Sequence, residues 1–451
     1  MVSRKAARFA KVTYMPKILR HLIFMLLAAS ISAYAANPLF VTVKGYNLYL
    51  NDKPYYFVGA NYWYGSLLGL EKDEKRGLAR LRHELDLLKA NGVTNLRLMA
   101  GAEGSGLLNG VTRVGPPLQP EQGKFDEHVL DGLDLVLDEM GKRDMKAVIF
   151  LSNNWEWSGG FQQYLIWNHV IADRWLTEKP SWDQLRDNVA KFYTCTPCKA
   201  AYNAQVALVL GHKNGYNKRP YIEDPTIMAW ELANEPRPMR PAAFGDYSRW
   251  ISDSAAMIKV RDHNHLVTIG HEGSIVKDVD DLYVKINSDK NLDYLTIHIW
   301  PKNWGWFKSG NMGADFDNVI DQTEIYAAEN TTVAGYLKKP MVIEEFGLPR
   351  DGESLDPISS TTYRDRFYSK LLGYIGNQPG GVKEIAGANF WAFGGTARPK
   401  PGQVFWKKGD DLMGDPPMEE QGLNSVFDSD TSTWNTIRSF SKAIAKKPYP
   451  E

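Results

Sequence analysis

Apolar positions recur at helical spacing in several stretches of the chain, Leu81, Leu85 and Leu88 in one and Val129, Leu133, Val136, Leu137 and Met140 in another. That period predicts amphipathic helices with one face turned to a core. Between such stretches lie short, mostly apolar runs: Tyr56 to Ala60, Thr94 to Met99, Lys146 to Leu151, Ile227 to Asn234, Leu266 to Gly270, Tyr294 to His298, Met341 to Phe346 and Ala388 to Phe393. Runs that are apolar on both faces predict buried parallel strands. Eight of them alternating with helical runs predict a closed (β/α)8 TIM barrel with long βα loops. Ahead of the first run, Phe40 to Val43 and Asn47 to Leu50 alternate towards a turn at Asn51-Asp52, which reads as a short N-terminal β-hairpin. After the eighth, Pro399 to Pro417 reads as a long loop and Thr433 to Ala445 as a closing helix.

Length agrees with that picture, since 451 residues with 43% hydrophobic content suit one large barrel. The first residues stand apart: Arg4, Lys5, Arg8, Lys11, Lys17 and Arg20, then the apolar run Leu22 to Ala29, then Ala33-Tyr34-Ala35. Charged, apolar and small residues in that order predict a secretory signal at 1–35, export of the chain, and a barrel domain at 36–451. The apolar run is short of the ~20 residues a bilayer requires, and no later segment is long and apolar enough, so no transmembrane segment is expected in the mature chain. Cys195 and Cys198 are the two cysteines. An exported chain without a second ligand pair points to a local disulfide or two free thiols rather than to a metal or redox centre.

Lys+Arg and Asp+Glu balance at 53 each, which argues against a nucleic-acid partner and for a neutral one. Aromatic residues reach 12%, with 14 Trp, enough to ask which flat apolar surface they meet. Pyranose rings offer such a face, although Trp is equally an ordinary core residue.

Reactive groups of a barrel gather at the carboxyl ends of its strands. Arg97 lies within the second run, Asn153 and Asn154 follow the third, and Asn234-Glu235 ends the fourth. His298 ends the sixth, Glu345 the seventh, and Trp391 lies in the eighth. Two carboxylates at one barrel end can cleave a glycosidic bond, one protonating the leaving oxygen and the other meeting the oxocarbenium ion directly or through a water. Glu231, two residues deeper on the strand face shared with Glu235, reads as a buried structural carboxylate. A salt bridge from Glu235 to Arg237 is the bland alternative. For Glu344 and Glu345, strand parity lets only one look into the site and does not say which.

These residues sit in segments that carry a resemblance: Asn95-Leu96-Arg97-Leu98, Trp155-Glu156-Trp157-Ser158-Gly159-Gly160, Trp230-Glu231-Leu232-Ala233-Asn234-Glu235-Pro236-Arg237, His298-Ile299-Trp300, Glu344-Glu345-Phe346-Gly347, and Gly414 to Gly422. In this order they resemble glycoside hydrolase family 5, in its mannanase and mannosidase subfamily, across nearly everything after residue 40. The resemblance implies a retaining enzyme with Glu235 as acid and then base and Glu345, beside Phe346-Gly347, as nucleophile. It implies further that Arg97 holds the nucleophile, Asn234 meets the sugar 2-hydroxyl, His298 orients substrate or acid, and Trp391 floors the subsite on the non-reducing side. Most members place a Tyr two residues after the strand-six His, where this chain has Trp300. That departure, with Trp304, Trp306 and the Gly414 loop, resembles the exo-acting β-mannosidase branch. Trp63, Trp155 and Trp157 are further candidates for sugar contacts.

An exo-acting β-mannosidase on mannooligosaccharides or mannan ends is thus the expectation, with an endo-mannanase as the main alternative and a non-catalytic sugar-binding barrel as a remote one. The acidic cluster Asp410, Asp411, Asp415, Glu419 and Glu420 has oxygen ligands that suit Ca2+. With Lys407 and Lys408 adjacent it reads instead as a solvated or Lys-paired loop, and no metal, no cofactor and a monomeric chain are expected.

Overall fold

The computed structural model describes residues 39–108, 110–274 and 280–446. The expected signal at 1–35 lies outside them. The eight runs form β1 (Phe57–Asn61), β2 (Val93–Met99), β3 (Lys146–Phe150), β4 (Ile227–Glu231), β5 (Leu266–Thr268), β6 (Leu295–Ile299), β7 (Met341–Phe346) and β8 (Ile385–Phe390). Paired neighbours run parallel in the order β5-β4-β3-β2-β1-β8-β7-β6. Across the seam between β5 and β6, the Asp293 amide donates to the Val267 carbonyl at 2.8 Å and the His298 amide to the Glu272 carbonyl at 2.9 Å. The Thr268 hydroxyl donates to the Tyr294 carbonyl at 3.0 Å, and the sheet closes into a barrel.

Between and after the strands come α1 (Glu74–Ala90), α2 (His128–Gly141), α3 (Gly160–Trp167), α4 (Trp182–Val189), α5 (Thr196–Gly211), α6 (Phe244–Arg261), α7 (Asp280–Asn287), α8 (Met312–Leu337), α9 (Thr362–Leu372) and α10 (Thr431–Lys446). Leu81, Leu85 and Leu88 of α1 and the apolar stripe of α2 are buried, as their spacing predicts. Among the described residues no helix is long and apolar enough to cross a membrane.

The expected N-terminal hairpin is present and gains a third strand. Thr42–Lys44 pairs with Asn47–Leu50, which then pairs with Lys53–Pro54. Asn51 and Asp52, at φ 53° and 59°, turn the second connection, so the Asn-Asp signal belonged to a different pair of strands. Val41 and Leu48 of this ribbon pack on Phe57, Val148, Met228, Leu266 and Val342 of the barrel. Inside the barrel, Gly59 is required by close approach: a Cβ there would lie 2.3 Å from the Asn389 amide nitrogen.

Residues 396–425, after β8, form the long loop. It is tied down from several directions. Buried Glu84 of α1 accepts from the Thr396 amide at 3.0 Å, and Arg80 donates to the Leu412 carbonyl at 2.7 Å. Trp63 donates to the Gly414 carbonyl at 2.8 Å, and Arg364 of α9 clamps the carbonyls of Leu423 and Ser425. Cys195 and Cys198 form a disulfide at the start of α5.

Candidate active site

At the carboxyl end of the barrel, β2 presents the buried guanidinium of Arg97 to three other strands. Its Nε and Nη2 hold Glu231 of β4 at 2.8 and 2.5 Å, Nη1 donates to Glu345 of β7 and to Asn61 of β1 (3.0 Å), and Nη2 also reaches Asn234 at 2.8 Å. Burial alone would lower this guanidinium, but the charges of Glu231, Glu344 and Glu345 raise it well above its ordinary value. Gly270 lets the chain pass close by, since a Cβ there, at φ +82°, would stand 2.1 Å from Glu231 Oε1.

Strand β4 stops its regular pairing at Glu231, three residues short of the run read from the sequence. The amides of Leu232 and Glu235 still bond to the β5 edge at Thr268 and Gly270, while Asn234 bonds back to Ser152. At Glu235 the backbone turns to φ +50°, and the carboxyl faces His298. Strand β8 ends one residue before Trp391, which had been expected inside it.

Glu235 and Glu345 meet across one imidazole. His298 Nδ1 lies 2.7 Å from Glu235 Oε1 and 3.2 Å from Glu345 Oε2. One donor atom each of Glu235, His298 and Glu345 lies within 4.8 Å of the others. Among the described residues these three form the group that could hold a metal, and Glu345 also faces the Arg97 guanidinium. The Trp155 indole donates to Glu235 Oε2 at 2.5 Å, and the Trp300 indole to Glu345 Oε2 at 3.2 Å. Trp300 thus supplies the nucleophile candidate with a donor from the position at which a Tyr was expected.

Strand parity did not separate Glu344 from Glu345 for a structural reason. Ile297 pairs with Ile343 and His298 with Glu345, leaving Glu344 as the extra residue of a bulge. Both carboxyls therefore turn towards the same cation and imidazole, with Glu344 3.8 Å from Arg97 and 3.7 Å from His298 Nε2. Glu345 shares His298 Nδ1 with Glu235, whereas Glu344 faces Nε2.

Burial would raise Glu235, yet the hydrogen bond and charge of His298, with Arg237 and Trp155, hold it at about 2. Burial would lower His298, but Glu345, Glu235 and Glu344 hold it well above its usual value. A carboxyl depressed from 4.5 to about 2 contributes stability that is complete above about 4.5 and lost as pH falls towards 2. In Glu235→Gln the urea midpoint should therefore fall less steeply between those pH values than in the wild type. An unchanged slope would show that the acid loss arises elsewhere.

The remaining expected residues divide. Trp391 is 3% exposed and edge-on to Trp300, with no acceptor for its indole N–H among the described residues. Trp63, expected as a sugar contact, is instead fully buried, its N–H taken by Gly414 and its ring edge-on to the nearly buried Trp157. Trp63 thus holds the long loop from beneath. Arg237 forms no bridge to Glu235; it is bidentate to Glu272, in the loop after β5. The acidic cluster also separates. Asp411 pairs with Arg76, Asp410 with Lys400 and Glu420 with Lys302, while Lys407 meets Asp410 through its backbone amide. Asp415 is buried and accepts from the amides of Gly422, Asn424 and Ser425. Glu419, the remaining member of that cluster, has its carboxyl pushed well up by burial and then by the charges of Asp415, Glu345 and Glu235. Asn61 and Glu272 were missed, although polar residues at strand ends are the signal that identified the others.

Residues 38–448 match the model of a family described as "GH family 5 beta-mannosidase-like". "Mannan endo-1,4-beta-mannosidase 1" of Arabidopsis thaliana is 29% identical over 78% of this chain and 81% of its own length. The crystal structure of a glycoside hydrolase family 5 mannosidase from Rhizomucor miehei is 30% identical, with a TM-score of 0.77 over 90% of this chain and 98% of that one. The endo-1,4-beta-mannanase of the same organism shares the fold at a TM-score of 0.60 and 21% identity, over 90% of this chain and 100% of that one.

Proposed function

The chain belongs to glycoside hydrolase family 5, in its β-mannosidase-like group, and from that premise we propose that it hydrolyses β-1,4-mannosidic bonds with retention, trimming mannooligosaccharides from the non-reducing end. The observation that carries the reading is the pair Glu235 and Glu345 on one imidazole, with donor atoms within 4.8 Å. Retaining glycosidases hold their carboxyls ~5–5.5 Å apart, whereas inverting ones leave ~6.5–9.5 Å for a water. Glu345, held by Arg97 and Trp300, is the nucleophile. Glu235, on the far side of His298, is the acid and then the base.

Charge can be followed through both steps. In the free enzyme His298 holds the proton and Glu235 is ionised. As Glu345 bonds to the anomeric carbon, its charge is lost and His298 holds its proton less tightly. Across the 2.7 Å contact that proton reloads Glu235, which protonates the leaving oxygen. Glu235 is then a carboxylate, ready to take a proton from the water that hydrolyses the ester. When Glu345 is released as a carboxylate, the proton returns to His298.

The exo mode is supported by the anchored loop 396–425, whose Glu419 carboxyl is raised in part by the charges of Glu345 and Glu235. A wall held by Glu84, Arg80, Trp63 and Arg364 leaves little freedom to open, and a sugar hydroxyl buried against it without a partner costs ~1–3 kcal/mol. The higher likeness to a mannosidase than to an endo-mannanase structure favours the same reading. The endo alternative draws on the curated relatives, named endo-mannosidases at 29% and 28% identity. With mannohexaose, mannose and mannopentaose should appear first. Early mannobiose and mannotriose, with rapid loss of mannan viscosity, would mean internal cleavage. The Cys195–Cys198 disulfide supports an oxidising compartment and hence export.

A further inference from the structure

Trp182 is 51% exposed, although it opens a well-formed helix next to the site. Its place is fixed from both sides. Ser181 and Gln184 form a reciprocal cap at the start of α4, at 3.3 and 2.9 Å, which sets the backbone that carries the ring. The ring then stacks on Trp155, with centroids 6.2 Å apart and planes 29° from parallel. Arg237, pinned by Glu272, covers both rings with its guanidinium 5.1 Å from Trp155 and 5.8 Å from Trp182. The result is a rigid aromatic surface that continues outward from Trp155, whose indole donates to Glu235.

Its direction follows from chemistry. Glu235 delivers a proton to the leaving oxygen, so Trp155 lies on the leaving-group side of the cut, and Trp182 lies one ring further out. We infer that Trp182 is a sugar-stacking platform for the second pyranose of the leaving chain. An aromatic face held in advance offers its area to the C–H face of a pyranose with little ordering on binding. A leaving group of one sugar stops at Trp155, while a leaving group of two reaches Trp182. The enzyme would then prefer mannotriose to mannobiose through this residue. The inference rests on the assignment of Glu235 as the acid of a mannoside hydrolase.

The test compares Trp182→Ala with the wild type on mannotriose, mannobiose and 4-nitrophenyl β-mannoside. Because the ring is half exposed, the variant should keep the wild-type Tm. kcat/KM for mannotriose should fall on the order of tenfold, mainly through KM, with the other two substrates unchanged, and Trp182→Phe should recover part of the loss. An equal effect on all three substrates, or an unchanged ratio of mannotriose to mannobiose, overturns the platform while leaving the two glutamates in place. A wild type that releases no mannose from any of the three overturns both the platform and the reading beneath it.

Discussion

Glu345→Ala is expected to lose turnover on every mannoside, including those with activated leaving groups, whereas Glu235→Ala should keep the first chemical step on the activated ones. The asymmetry comes from what each carboxyl touches. Glu345 sits against Arg97 and Trp300, donors that would orient the proposed nucleophile. Without it no glycosyl-enzyme forms, however good the leaving group. Glu235 is linked to His298 and Trp155, a proton source and a positioning donor. Its loss removes general acid catalysis, ~10²–10⁴-fold on a natural mannooligosaccharide. A dinitrophenol leaves without a proton, so dinitrophenyl β-mannoside should still show a burst in Glu235→Ala, followed by slow release of the sugar as the base is missing. Rapid-quench measurement of that burst decides the roles. Equal loss of the burst in both variants would contradict the assignment, as would normal activity in Glu345→Ala beside an inactive Glu344→Ala.

The bulge at Glu344 marks where sequence reasoning stops. The bounds of β7 match the run read from the sequence, because apolar residues on both faces followed by Phe346-Gly347 leave little freedom. What a bulge does to the direction of two adjacent carboxyls depends on the partner strand, and the register change lies in the pairing of β6 with β7. Arg97, Asn234 and His298 were legible because a polar residue inside or ending an apolar run is conspicuous. The electrostatic link of Glu419 to Glu235 and Glu345 was not, because its loop is placed by distant anchors such as Trp63 and Arg364. Trp63 shows the opposite error: composition suggested a sugar contact, whereas the ring supports the loop wall. Arg237 found Glu272 rather than Glu235 for a similar reason, since two loop ends from neighbouring strands meet only after the barrel closes.

Arg97→Met should destabilise the barrel as well as the chemistry. The guanidinium is fully buried and faces Glu231, Glu344 and Glu345, with His298 beyond them as the other cation. Removing one partner of a buried ion pair costs ~3–5 kcal/mol, because the remaining charge has neither water nor a counter-charge. Here the carboxyls of Glu231, Glu344 and Glu345 would lose their shared cation, so a loss within that range is expected at pH 7.5. The pH dependence gives the loss a signature. Burial, opposed by Arg97 and reinforced by Glu344, already raises Glu231 to about 8 in the wild type. A carboxyl raised in the folded state binds its proton more tightly there than in the unfolded chain. Its contribution is therefore full below about 4.5 and lost as pH rises through 8. Without Arg97 the carboxyls should rise further and the decline should steepen, so the variant's urea midpoint should approach the wild type's near pH 5 and fall well below it near pH 8. Arg97→Lys should lie between the two, since an ammonium keeps the charge but lacks the planar fork that spans Glu231, Asn234, Asn61 and Glu345 at once. A loss in Arg97→Met under ~1 kcal/mol at pH 7.5 would place the effect among ordinary surface changes and show that the carboxylates find another counter-charge.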